Sequence, residues 1–149
     1  MLIPQFLDDH GVRFETIYHA PAFTAQKRAK FLHVPGSQVA KCVLLYGPLG
    51  FFLAVLPATR RVDTEALGRS LGGDVRLANG EEVARTFPDC EWGVAAPFGT
   101  IYGLPSVLDE SLAPETPMLL EGNTHVVAIR ITCHDFERLE KPRRLSFAR

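Results

Sequence analysis

The chain has 149 residues, 46% of them hydrophobic, with 16 Lys plus Arg against 17 Asp plus Glu for a formal net charge of −1. A domain of this size buries roughly 68–70% of its unfolded surface, so a core can form without metal or disulfide support. The near-neutral balance excludes a protein that tracks extended nucleic-acid backbone, while contact with one nucleic-acid end needs only a few local cations.

Ile3, Phe6, Leu7 and His10 recur at helical spacing and stop at Gly11, and Val12 to Thr16 then alternates as a half-buried strand does. Thr24 is suited to cap a helix over 25–32, which Pro35-Gly36 closes. Val39 to Leu45 and Phe51 to Leu56 read as strands joined by the turn over 46–50. The second is apolar on both faces, which predicts a hairpin at the centre of a sheet. Asp63 caps a helix from Thr64 to Leu71 ended by Gly72-Gly73, and Asn79 with Glu82 writes a capping box for a second helix ending near Pro88. A brief strand over 75–78 separates the two. Residues 106–109, 118–120 and 126–131 read as strands, and Thr132 with Asp135 caps a closing helix through Leu139.

Strands outnumber helices and mostly follow one another, which predicts an α+β fold with a mixed or antiparallel sheet. No repeat or linker interrupts residues 1–140, so one domain is expected there. Residues 141–149 are read as a basic C-terminal tail, solvated at the end of the chain. No basic segment followed by an apolar run opens the chain, and no stretch approaches the ~20 apolar residues that span a bilayer. Cys42, Cys90 and Cys133 are too few and too far apart for a disulfide framework or a CxxC site, so the expected location is a reducing cytoplasm with no membrane partner.

The common catalytic signatures GxSxG, HExxH, GxxxxGK[ST] and GxGxxG are absent. The five histidines never pair at zinc spacing, so neither a metal nor another cofactor is expected. One residue breaks a local rule. Lys41 shares its strand face with Val43 and Leu45, and a lysine is almost never fully buried without a partner. It either snorkels its charge past an apolar stem or turns the charge toward a ligand. A second feature is Gly93-Val94-Ala95-Ala96-Pro97, where small residues leave backbone amides uncovered and glycine permits positive φ. That run is either a tight connection or a loop that approaches a ligand closely.

Five ordered segments carry a resemblance: His19 to Thr24, Val39 to Leu44, the apolar strand ending in Leu56-Pro57, Phe87 to Gly99, and Val107 to Leu112. Together they resemble the YbaK/EbsC family, free-standing relatives of the editing insertion domain of prolyl-tRNA synthetase, over about residues 10–140. The resemblance implies a curved mixed β-sheet, partly barrel-like and flanked by helices. It also implies a trans-editing hydrolase that deacylates mischarged aminoacyl-tRNA carrying a small amino acid such as Ala, Ser or Cys. Lys41 matches the family residue most closely tied to activity. Gly93, Val94, Ala95, Ala96 and Pro97 match the GxxxP loop that lines the aminoacyl pocket, and His125 matches a late Gly-x-x-His stretch that closes it. The implied partners are the acceptor end of mischarged tRNA and, as a further candidate, an aminoacyl-tRNA synthetase. DNA is not among them, since no helix-turn-helix rich in Arg and Lys is present. The other readings are a non-catalytic module that binds an amino acid or aminoacyl-tRNA and a Schiff-base role for Lys41, beside which the sequence shows no cation cluster.

Overall fold

The computed structural model describes residues 2–149; Met1, at the start of the expected domain, lies outside them. The first helix, α1 (Ile3–Asp9), buries Ile3, Phe6 and Leu7. The next strand, β1, forms at Glu15–Tyr18 rather than at the expected 12–16. The shift has a local cause. The Val12 amide still bonds back to the Leu7 carbonyl at 3.0 Å, and the Val12 side chain is buried in the core, so the chain leaves the helix before it can pair.

Elsewhere the capping residues set the elements where the sequence predicts them. Thr24 accepts from the Lys27 amide to start α2 (Ala25–Phe31), and Asp63 accepts from the Ala66 amide to start α3 (Thr64–Leu71). Asn79 and Glu82 form a reciprocal capping box on α4 (Gly80–Thr86), and Thr132 accepts from the Asp135 amide to start α5 (Cys133–Glu140). Each such cap is worth about 1 kcal/mol. Gly72 closes α3 at φ +82°, a conformation that other residues adopt only with strain.

The predicted hairpin is β2 (Ala40–Gly47) with β3 (Gly50–Pro57), paired from Ala40–Pro57 to Gly47–Gly50. On the same five-stranded sheet, β4 (Arg76–Leu77) joins the far end of β2 antiparallel. β5 (Ser106–Asp109) lies parallel to β3, and β8 (Arg143–Leu145) lies parallel to β5. A second sheet has the order β1, β7 (Val127–Thr132), β6 (Pro117–Glu121), all antiparallel. The two sheets are linked by an isolated parallel bridge, Val39–Leu119, and share a core in which Ala40, Val55 and Leu108 meet Met118, Leu120 and Ile129. This is a mixed α+β fold. Its sheets are not closed, so the ladders do not give the partly barrel-like form that the resemblance implies.

β3 is apolar on both faces because both are covered. Phe52, Ala54 and Leu56 pack with Leu67 of α3 and with Phe147, while Leu53 and Val55 face the opposite way into cores built with Phe87, Ala96, Phe98 and Leu108. Burial of each of its large side chains contributes about 1.5–3 kcal/mol. No described helix is long and apolar enough to cross a membrane.

The basic tail is a correction. Instead of lying solvated, residues 143–145 extend the sheet, Arg144 is anchored by Glu137 and by the Leu112 carbonyl, and Phe147 is buried. The anchor for this segment is the buried carboxylate of Asp109. One oxygen accepts from the Phe147 and Ala148 amides at 3.0 and 2.9 Å, and the other from the Ser111 amide and hydroxyl. Burial pushes the Asp109 carboxyl up, but the bonds from Ser111, Phe147 and Ala148 outweigh it and hold the carboxyl below its usual range. Its contribution to stability is therefore fully present above the unfolded value of about 3.9 and is lost as pH falls through the lower folded value. In urea unfolding at neutral pH, Asp109→Ala is expected to lower stability on the order of 3 kcal/mol. The difference from wild type should shrink as pH drops below about 4.

Candidate functional site

One edge of β2 is fully paired with β3. On its other edge β6 attaches at Val39 and β4 at Leu45 and Tyr46, so among the described residues 40–43 have no strand partner there. Lys41 and Cys42 occupy this open stretch, and the period of a strand sends them to opposite faces. Lys41 is opposite Leu56, whose side chain belongs to the α3 core. Burial lowers the pKa of the half-buried Lys41 ammonium from its ordinary value, and the charge of Arg61 lowers it further. Among the described residues the Lys41 ammonium has no ion pair or hydrogen bond.

Cys42 faces the glycine loop, its Sγ 3.6 Å from the Ala96 carbonyl. Burial raises its thiol pKa well above the ordinary value, and the charges of Glu121 and Glu140 add to that. A thiol in that state is a packing group and not a nucleophile. The contact between β2 and the loop is thus made by Cys42, while Lys41 starts from the opposite face of the strand.

Within the loop only Gly93 is exposed, and Val94 to Pro97 are buried. Ala95 and Ala96 pack with Leu44, Leu53 and Phe87, with Ala96 at 0% exposure and Ala95 at 9%. Gly93 has φ +85°, where a side chain is strained whatever the space around it. The amides of Gly93, Ala95 and Ala96 donate to no protein acceptor among the described residues, whereas Val94 donates to the Glu91 carbonyl at 3.0 Å.

His125 is brought to this loop. It is buried at 6% exposure, its Nε2 is 2.9 Å from the Trp92 carbonyl oxygen, and a β-carbon added to Gly93 would stand 3.8 Å from Nε2. Its main chain ties in two further segments. The His125 amide donates to Glu91 Oε2 at 2.8 Å, and its carbonyl accepts from the Ala22 amide at 3.0 Å. The exposed ring of Phe23 lies 4.7 Å from the His125 ring.

Two residues of this cluster are not singled out by the sequence reading. Arg28 is 1% exposed, with one guanidinium nitrogen 3.1 Å from Glu121 Oε1, and the same oxygen is 3.3 Å from His125 Nδ1. Burial raises the pKa of Glu121, while the charges of Arg28 and His125 pull against that rise. A signal for both is present in the chain. Ala25, Arg28, Ala29 and Leu32 form one helical stripe, which carries Arg28 onto the buried face. Glu121 follows Leu119 by two on a strand and so shares its inward side.

Among the described residues no group of three or more His, Cys, Asp and Glu is arranged to hold a metal ion. A separate apolar cavity of about 190 Å³, lined in part by Pro48, Phe51, Leu71 and Pro105, lies at the opposite end of the hairpin and includes none of these residues. Gly93→Ala is expected to lower thermal stability by about 1–2 kcal/mol through backbone strain alone, since its new contacts are ordinary ones. A larger loss in calorimetry would mean that the loop cannot hold that conformation.

A family model described as an aminoacyl-tRNA editing domain matches residues 19–139, which include Lys41, the glycine loop and His125. A proline–tRNA ligase from Thermosipho africanus (strain TCF52B) is 30% identical over 81 residues, 54% of this chain and 14% of the ligase. The chain thus spans about one seventh of that relative. A solved structure described as a candidate trans-editing enzyme for prolyl tRNA synthetase superposes with TM-score 0.83 at 24% identity, covering 99% of this chain and 94% of the other. The hypothetical protein APE2540 superposes with TM-score 0.89 at 17% identity over 99% of both chains. These two similarities establish the shared fold.

Proposed function

The chain belongs to the aminoacyl-tRNA editing domain family, and on that premise we propose that it hydrolyses the ester joining a wrongly attached amino acid to the terminal ribose of tRNA. The observation that carries the proposal is the exposed Gly93 at φ +85°, its amide without a protein acceptor, held beside buried His125. An aminoacyl ester is already activated, so its hydrolysis needs a positioned water and donors for the developing oxyanion more than a strong nucleophile. The Gly93 amide supplies such a donor. Such chemistry does not require a nucleophilic thiol, and Cys42 is kept protonated.

Lys41 has the role of a cation for the tRNA end. Its ammonium has no carboxylate partner, and a charge-assisted bond to a phosphate or ribose oxygen would be roughly twice as strong as a neutral one. Its position on the far face of β2 from the loop favours a grip on the nucleic acid over contact with the aminoacyl carbonyl. The amino acid is expected to be small (Ala, Ser or Cys), because closely packed Ala95 and Ala96 leave little room beside the loop. The description of one structural relative as a candidate trans-editing enzyme for prolyl tRNA synthetase, and the identity with part of a proline–tRNA ligase, support tRNA for proline as the first carrier to test.

The test is deacylation of alanyl-, seryl- and cysteinyl-tRNA for proline. Wild-type protein is expected to turn over at least one. Lys41→Ala should then lose on the order of tenfold to 10²-fold in kcat/KM, equivalent to one charge-assisted bond of about 1.5–3 kcal/mol. Equal rates for the variant would remove Lys41 from the reaction, and binding without turnover would favour the non-catalytic module. Ala95→Val is expected to change the ranking of the three substrates by pocket volume, where one methylene is worth about 1–3 kcal/mol. An unchanged ranking would take Ala95 out of the pocket.

A further inference from the structure

We propose that Glu121, backed by buried Arg28, is a positioning residue of the editing reaction: it holds the His125 ring so that the ring fixes the Trp92–Gly93 peptide and aims the Gly93 amide into the site. The inference rests on the editing reading and deepens it, because neither the family match nor the sequence motifs give Arg28 or Glu121 a role.

The Trp92 carbonyl can only accept, so the 2.9 Å contact requires a hydrogen on His125 Nε2. A trans peptide is planar, with its C=O and N–H pointing in opposite directions. Anchoring the Trp92 oxygen on His125 therefore turns the Gly93 N–H away from the ring, and that N–H donates to no protein acceptor among the described residues. Positive φ at Gly93 lets the chain leave this fixed plane without a β-carbon penalty.

The ring itself needs a hold on its other side. Nδ1 makes no aligned hydrogen bond but stands 3.3 Å from Glu121 Oε1, the oxygen that also faces Arg28 at 3.1 Å; with Nε2–H on Trp92, this contact holds the ring when one further proton lies between the two, on Nδ1 or on the carboxyl. Arg28 is 1% exposed, so its charge has no solvent alternative and keeps the carboxylate in place. The Glu91 carboxylate, through the His125 amide, fixes the backbone of the same residue but does not orient the ring. Phe23 packs against the ring at 4.7 Å but offers it no polar partner, so Glu121 is the side-chain polar group that faces its second nitrogen. An amide in its place could serve equally well, since a glutamine can donate to Nδ1 while Nε2–H remains on Trp92.

That equivalence separates positioning from chemistry. With the mischarged tRNA that wild type deacylates fastest, Glu121→Ala is expected to lower kcat by about tenfold to 10²-fold with KM within about twofold, as a misaimed donor would. Glu121→Gln should restore kcat to within about threefold of wild type. If Gln loses as much as Ala, the carboxylate itself takes part in the reaction and the positioning role is overturned; wild-type kcat in Glu121→Ala overturns it as well. Because Glu121→Ala could unfold, ring-nitrogen NMR of wild-type protein gives an independent arm. Hydrogen on Nε2 of His125 is expected, with the His125→Gln variant assigning the signals, and a bare Nε2 would refute the clamp. This arm reads the clamp even if wild type deacylates no tRNA, an outcome that would instead reject the editing reading.

Discussion

The two edges of β2 are used unequally, and the rest of the site depends on that. One edge is bonded to β3 along the whole hairpin, while the other is divided between β6 at Val39 and β4 at Leu45 and Tyr46. Two strands that approach one edge from its two ends leave backbone between them without a strand partner, here residues 40–43. Such a gap cannot be filled by a third strand without displacing either neighbour. It is flanked instead by the glycine loop after α4 and by the β6–β7 turn, and His125 joins those two segments. The hairpin can sustain the division because β3 is buried on both faces and anchors β2 from behind. A strand with one solvated face would hold its partner less firmly.

Two carboxylates, buried Asp109 and half-buried Glu121, show how environment sets the same group in opposite directions. Asp109 receives four donors, and together they outweigh burial and hold its pKa down. It is a satisfied anchor for the C-terminal strand. Glu121 faces two cationic or potentially cationic groups on one oxygen, and burial outweighs them, so its pKa is raised. A carboxylate with that balance is sensitive to the protonation and placement of its neighbours, which suits a group that orients a ring. Burying an unpaired charge is expensive enough that Arg28 and Glu121 are held together by necessity.

Much of the fold is legible in the chain because the strongest signals are local. The side chains of Thr24, Asp63, Asn79 with Glu82, and Thr132 all cap the helices that the sequence predicts, and β5 forms over 106–109 as expected. What was not legible depends on distant partners. The strand at 143–145 exists because β5 offers a free edge and Asp109 accepts the amides beyond it, neither of which a run of cations reveals. The start of β1 moved because the Val12 amide is held by α1. At the site, Gly93 and His125 come together, whereas the side chain that touches the loop from β2 is the neighbour of Lys41. Lys41 shares the face of Val43 and Leu45, so Cys42 and not Lys41 turns toward Ala96.

That alternation bears on how the site would meet its substrate. Lys41 and the contact of Cys42 with the loop start from opposite faces of β2. Lys41 and the loop are well placed to hold two parts of one long ligand that crosses the open edge between them. An aminoacyl-tRNA end has this form, with anionic backbone on one side of the ester and a small side chain on the other. Under the editing reading, the cation and the loop then divide the work: Lys41 fixes where the chain lies, and the Gly93 amide meets the charge that develops at the carbonyl. Such a division explains why neither feature needs a catalytic partner of its own. It also makes the orientation of one peptide plane, set by His125 and Glu121, the point on which the rate depends.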